Sequence, residues 1–140
     1  MSESKVTILL VDDAADLRAL LEKAILRSGM DVVTASDGSE AIKKLSQQSF
    51  NLLITDLLMP NVEGIELILK IRKDYPALPI IAMSGGGRLK AEGYLKLARA
   101  FGVKEVLEKP FVMEVFITAI RRALGGAIPP EVLAPELGGG

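Results

Sequence analysis

Five side chains suited to phosphoryl or metal chemistry stand at the ends of short strand-like runs. Asp12 and Asp13 follow Val6-Thr7-Ile8-Leu9-Leu10-Val11, and Asp56 follows Asn51 to Thr55. Ser84 follows Ile80-Ile81-Ala82-Met83, and Lys109 ends the run that begins at Val103. Carboxylates crowded together raise one another's pKa, and a divalent cation relieves that repulsion. Carboxylates with water suit Mg2+. Such a cation neutralises phosphate oxygens while a carboxylate oxygen attacks in line, and aspartate is a nucleophile of this kind, forming an aspartyl phosphate. A lysine offers a point charge on a stem long enough to reach a phosphate oxygen. A serine hydroxyl donates one more hydrogen bond. Singly, each residue has an ordinary role. An Asp after a strand commonly caps a helix, as Asp13 could here, a Ser before three glycines is usually loop, and Lys-Pro-Phe is usually a turn. Their joint placement carries the weight.

The elements that must bring these residues together are legible from periodicity. Short segments at 6–11, 30–35, 51–55, 80–83 and 103–108 read as strands, the first as a nearly continuous apolar run buried on both faces. Between them lie helical stripes: Leu17, Leu20, Leu21 and Ala24, then Ala41, Ile42 and Leu45, then Ile65, Ile68, Leu69 and Ile71. Tyr94, Leu97, Ala98 and Phe101 mark a fourth helix over Leu89 to Ala100, and Val115, Phe116, Ala119, Ile120 and Leu124 a fifth over Val112 to Leu124. Asp37-Gly38-Ser39-Glu40 reads as the start of the second helix. Five alternations of strand and helix predict an α/β fold, a doubly wound five-stranded parallel sheet covered by five helices. Ligands of such sheets bind beyond the carboxyl ends of the strands, where the five residues converge.

Composition sets the bounds. The chain has 140 residues, 25% of them charged, and a formal net charge of −1, so no global field attracts nucleic acid or an anionic membrane. Cysteine and histidine are absent, which leaves oxygen ligands for any metal and no imidazole for acid–base work. No signal peptide or membrane-spanning run is evident, so a cytoplasmic location is expected. Residues 1–124 read as one domain, and 125–140, with its glycines and prolines, as a flexible tail or linker.

The sequence resembles the response-regulator receiver family of two-component systems. The resemblance rests on Ile8-Leu9-Leu10-Val11-Asp12-Asp13, Ile54-Thr55-Asp56-Leu57-Leu58-Met59-Pro60, Glu63-Gly64, Met83-Ser84-Gly85 and Glu108-Lys109-Pro110-Phe111. The expected sheet order is the flavodoxin-like 2-1-3-4-5. The resemblance implies that Asp56 is the phosphoacceptor in a Mg2+-dependent transfer from a sensor histidine kinase or phosphotransfer protein. Asp13 would be a direct metal ligand, Asp12 would act mainly through water, and Leu58 would lend its backbone carbonyl. Ser84 would be the switch hydroxyl and Lys109 the partner of the phosphoryl oxygens, with a cis Lys109-Pro110 bond. The chain would be a phosphoacceptor rather than an enzyme, signalling to a downstream protein target. A homodimer through the fourth helix, fifth strand and fifth helix is one form that contact could take.

Three features depart from the family pattern. Val106 stands where an aromatic residue usually swings with the switch hydroxyl, Gly85-Gly86-Gly87 follows Ser84, and the interval to Lys109 is slightly long. Leu58 and Gly86 cannot position an attacking water, so slow self-dephosphorylation is expected. Other readings fare worse. A flavodoxin-like redox site would need a phosphate-binding loop where Asp12-Asp13 stands. A haloacid-dehalogenase-like phosphatase would need an acid at Leu58. A pseudo-receiver that only binds partners is the alternative of a different class, and the full set of site residues argues against it.

Overall fold

The computed structural model describes residues 5–57, 64–85, 100 and 102–125. Five strands, β1 (Thr7–Val11), β2 (Asp31–Ala35), β3 (Leu52–Asp56), β4 (Ile80–Ser84) and β5 (Glu105–Glu108), form one parallel sheet in the order β2-β1-β3-β4-β5. Four helices accompany them: α1 (Ala15–Arg27), α2 (Gly38–Gln47), α3 (Gly64–Asp74) and α4 (Met113–Ala123). The sheet order is the flavodoxin-like one, but the helix count is corrected from five to four among the described residues. The additional helix rests on the apolar stripe within Leu89–Ala100. That segment, Ala100 excepted, lies outside the described residues, as do Leu58, Gly86, Gly87 and the expected tail from 126 onward.

Burial explains why the strands read as continuous apolar runs. β3 and β4 are buried at every residue and β1 at all but Thr7, whereas the edge strands β2 and β5 bury one residue each. Successive side chains alternate between the two faces of the sheet. On one face Ile8, Leu10, Ile54 and Met83 pack with Ile25 of α1 and Phe116 of α4. On the other, Leu9, Val11, Leu53 and Ala82 pack with Leu45 of α2 and Ile68 of α3. No helix among the described residues is long and apolar enough to cross a membrane.

Helix starts are secured differently. α1 has Ala14 at its N-cap with no side-chain cap, so Asp13 does not play that part. At α2 the Asp37 carboxylate accepts from the Glu40 N–H (2.8 Å), and the Glu40 carboxylate accepts from the Ser36 N–H (2.7 Å) and hydroxyl (2.9 Å). The first bond satisfies a donor that a helix start leaves orphaned, and the other two tie Ser36, just before the cap, to the first turn. The Ser36 backbone and side-chain hydrogen bonds hold the Glu40 carboxyl below its usual 4.5. A group with a depressed folded pKa adds stability above its unfolded value, and that stability is lost as pH falls through the folded value. Glu40→Gln should therefore cost roughly 0.5–1 kcal/mol near neutrality. The gap to the parent should close in acid below about pH 4.5, as read by denaturant titrations across pH.

Candidate functional site

The parallel register places the chemistry. Val11 pairs with Thr55 and Asp56 with Met83, so Asp12, one residue past β1, lies level with Asp56 on the neighbouring strand. Ser84 pairs with Glu108, which puts Lys109 one step beyond β5. Alternation then decides the faces. Asp12 follows Ile8 and Leu10, Asp56 follows Leu52 and Ile54, and Lys109 follows Leu107, all contributors to the α1/α4 core. Those three side chains accordingly meet.

Lys109 Nζ donates to Asp12 Oδ2 at 2.8 Å and to Asp56 Oδ2 at 2.7 Å. Asp12 is fully buried and Asp56 only 5% exposed, so the ammonium joins two carboxylates largely removed from water. Carboxylate oxygens of Asp12, Asp13 and Asp56 lie within 4.8 Å of one another. Asp13 is the exposed member, and the cation goes to the other two. Burial pushes the Lys109 pKa down, but the hydrogen bonds and charges of Asp12 and Asp56 outweigh it and raise the group above 10.5. Lys109 is therefore charged throughout the neutral range.

Local structure holds each piece. Asp12 N–H donates to the Ala35 carbonyl (3.2 Å), Asp12 Oδ1 accepts from the Ala14 N–H (2.9 Å), and the Asp12 carbonyl accepts from Arg18 Nη1 (2.7 Å). This pins the acidic turn at the N–H, carboxylate and carbonyl of one residue. The Leu57 N–H donates to the Met83 carbonyl (2.8 Å), carrying the ladder one residue past Asp56. Lys109 N–H donates to the Ser84 carbonyl (2.6 Å), and the Lys109-Pro110 bond is cis. Phe111 stacks on the buried Phe116 with ring centroids 5.7 Å apart, anchoring the turn that carries the lysine. The lysine stem passes close to Gly85, where an added Cβ would lie 3.5 Å from Lys109 Cδ.

Of the expected site residues, the structure brings together Asp12, Asp13, Asp56 and Lys109. Ser84 is buried at the end of β4, but alternation puts its side chain with Ile80 and Ala82 on the α2/α3 side of the sheet. Val106 packs against that same core. Leu58, expected to offer a backbone carbonyl, lies outside the described residues. Sequence reasoning missed Arg18. The available signal was a basic residue six positions after Asp12, where the first helix turns back past the strand end.

A doubly wound parallel sheet with an acid cluster and a lysine at its carboxyl edge defines a phosphoacceptor-type α/β domain. The sequence model described as "Response regulator receiver domain" matches residues 8–121, and the chain belongs to that family. It is 35% identical over 135 residues to the DNA-binding transcriptional regulator NtrC of Azospirillum brasilense, covering 96% of this chain and 27% of that protein. It is 35% identical over 114 residues to the sensor protein EvgS of Escherichia coli (strain K12), covering 81% of this chain and 9% of that one. The chain thus spans about a quarter or less of these two relatives. Among solved structures, the Vibrio cholerae chemotaxis protein CheY4 superposes with a TM-score of 0.78 at 28% identity, covering 86% of this chain and 99% of that one. The chain is a receiver domain of phosphorelay signalling.

Proposed function

We propose that Asp56 accepts a phosphoryl group from a phosphohistidine on a sensor kinase or phosphotransfer protein, and that a downstream protein reads the modified domain. The observation that carries this reading is the Asp12–Asp13–Asp56 cluster with Lys109 bound to two of its members. An Asp56 carboxylate oxygen attacks phosphorus in line. The donor's P–N bond breaks, its electron pair returns to the imidazole, and the new P–O bond leaves an aspartyl phosphate. Lys109 then turns an N–H from the Asp56 carboxyl group to a phosphoryl oxygen. Arg18 keeps the acidic turn in place through the Asp12 carbonyl.

The donor set fits a hard divalent cation. Three carboxylates and one ammonium carry a formal net charge of −2, which a single Mg2+ cancels. Asp13 would ligate directly, Asp12 through water, and Asp56 and the Leu58 carbonyl would complete the protein's share. Bound there, the ion would neutralise charge on the phosphoryl oxygens. Asp13→Asn should weaken Mg2+ at least tenfold, because the number of ligand charges sets affinity in such sites. Its metal-free stability should stay within about 0.5 kcal/mol of the parent, as for other exposed substitutions. Melting curves across a Mg2+ titration check both.

Residues 1–124 carry this function, in the cytoplasm and without direct contact to nucleic acid or membrane, and 125–140 is a tail or linker. Ser84 supplies the switch hydroxyl, and its position across the sheet from the acids means that it must turn about the strand end to reach the phosphate. With Val106 beside it there is no ring to follow. Any homodimer would use the face formed by the residues before β5, β5 itself and α4. The test is transfer of radiolabelled phosphate from a phosphohistidine donor. The label should reach the chain only with Mg2+ and be released by hydroxylamine, as acyl phosphates are; hydroxylamine-stable label would contradict the reading. With Leu58 and Gly86 unable to orient water, the label should persist for minutes or longer once the donor is removed. Decay within seconds would contradict that part.

A further inference from the structure

We propose that the proline-rich segment Ile128–Leu137 of this chain docks into a cavity at the amino-terminal edge of the sheet. The cavity, about 680 Å3, lies at the edge opposite the acid cluster, between the α2–β3 and α3–β4 connections. Phe50, Tyr75, Pro76, Leu78 and Pro79 form much of its lining. Phe50 and Tyr75 are partly buried against the α2/α3 core, and the Tyr75 hydroxyl donates to the Leu45 carbonyl (3.2 Å), so that ring is a fixed wall. Gln47, Gln48 and Asn51 add amide groups. Aromatic and proline walls beside amides suit a polyproline II strand, which has no internal hydrogen bonds and offers its carbonyls outward.

The chain itself supplies a sequence of that composition. Ile128-Pro129-Pro130-Glu131-Val132-Leu133-Ala134-Pro135-Glu136-Leu137 holds three of the seven prolines of the sequence. α4 runs back from the acid edge, so Gly125 leaves the domain at the edge that holds the cavity. At about 3.1 Å per residue, the seven steps from Gly125 to Val132 reach roughly 22 Å, beyond the ~13 Å radius of gyration of such a domain. Charge agrees. Residues 126–140 carry Glu131 and Glu136 with no Lys or Arg, while the last turns of α2 and α3 beside the cavity carry Lys44, Arg72 and Lys73 against the single acid Asp74, which pairs with Lys70. A tether this short gives an effective concentration on the order of millimolar, so weak contacts suffice.

The test compares the full isotope-labelled chain with a full-length P129S/P130S/L133S variant by NMR. The Mg2+ response of both chains serves to verify folding. Expected are nuclear Overhauser contacts between the Phe50 or Tyr75 rings and tail side chains, present at every protein concentration. They should vanish in the variant, with amide shifts confined to 45–51 and 75–78. Contacts that fade on dilution would place the tail in a second copy and overturn the proposal. So would the absence of contacts with unchanged amides around the cavity.

Discussion

Lys109→Met should cost the metal-free domain about 3 kcal/mol at neutral pH, and Mg2+ should return much of that loss. Methionine keeps most of the stem and its packing but removes the charge between Asp12 and Asp56. Two unit charges about 4 Å apart interact by roughly 4 kcal/mol at an effective dielectric near 20, so losing two attractions and keeping one repulsion is expensive. Asp12 retains its hydrogen bond from the Ala14 N–H, which softens the loss. For a domain of this size the change is a fall in Tm of roughly 10 °C. The alkaline side gives an independent readout. The folded pKa of Lys109 is raised above 10.5, so its contribution is complete below that value and is lost as pH rises through the higher folded value. The parent should therefore lose stability in strong alkali on an arm that Lys109→Met lacks. A variant as stable as the parent at pH 7, with no added response to Mg2+, would mean that the lysine does not hold the acids together.

Most of the sheet was legible because it is central and parallel. β1, β3 and β4 are buried on both faces, and that burial appears in the sequence as unbroken apolar runs ending at Asp12, Asp56 and Ser84. The acid cluster followed from where those runs stop. What could not be read was which way each strand-end side chain points. Register and alternation bring Asp12, Asp56 and Lys109 to one face and send Ser84 to the other, and a list of strand ends cannot distinguish these cases. Nor could it show that Arg18 and the Ala14 N–H hold the acidic turn, because those bonds depend on how α1 folds back past β1. The capping of α2 was partly visible. Asp37 and Glu40 have the right spacing, while the bond from Glu40 back to Ser36 needs the backbone. The remaining expected helix rests on a stripe within 89–100 that, Ala100 excepted, lies outside the described residues, so four helices stand among those described.

Asp56→Asn should abolish phosphoryl uptake altogether. The substitution keeps the shape of a side chain only 8% exposed and leaves Asp12 to hold Lys109, so the fold should survive. An amide oxygen, however, is a far weaker nucleophile than a carboxylate. Asp12 and Asp13 remain in the variant, which makes the comparison specific: if any carboxylate of the cluster could accept the phosphate, uptake would persist. The most direct measurement is intact mass after incubation with acetyl phosphate and Mg2+. The parent should gain a single phosphoryl group, and Asp56→Asn should gain none under the same conditions. An equal gain in both chains, or none in the parent with Mg2+ present, would contradict Asp56 as the phosphoacceptor.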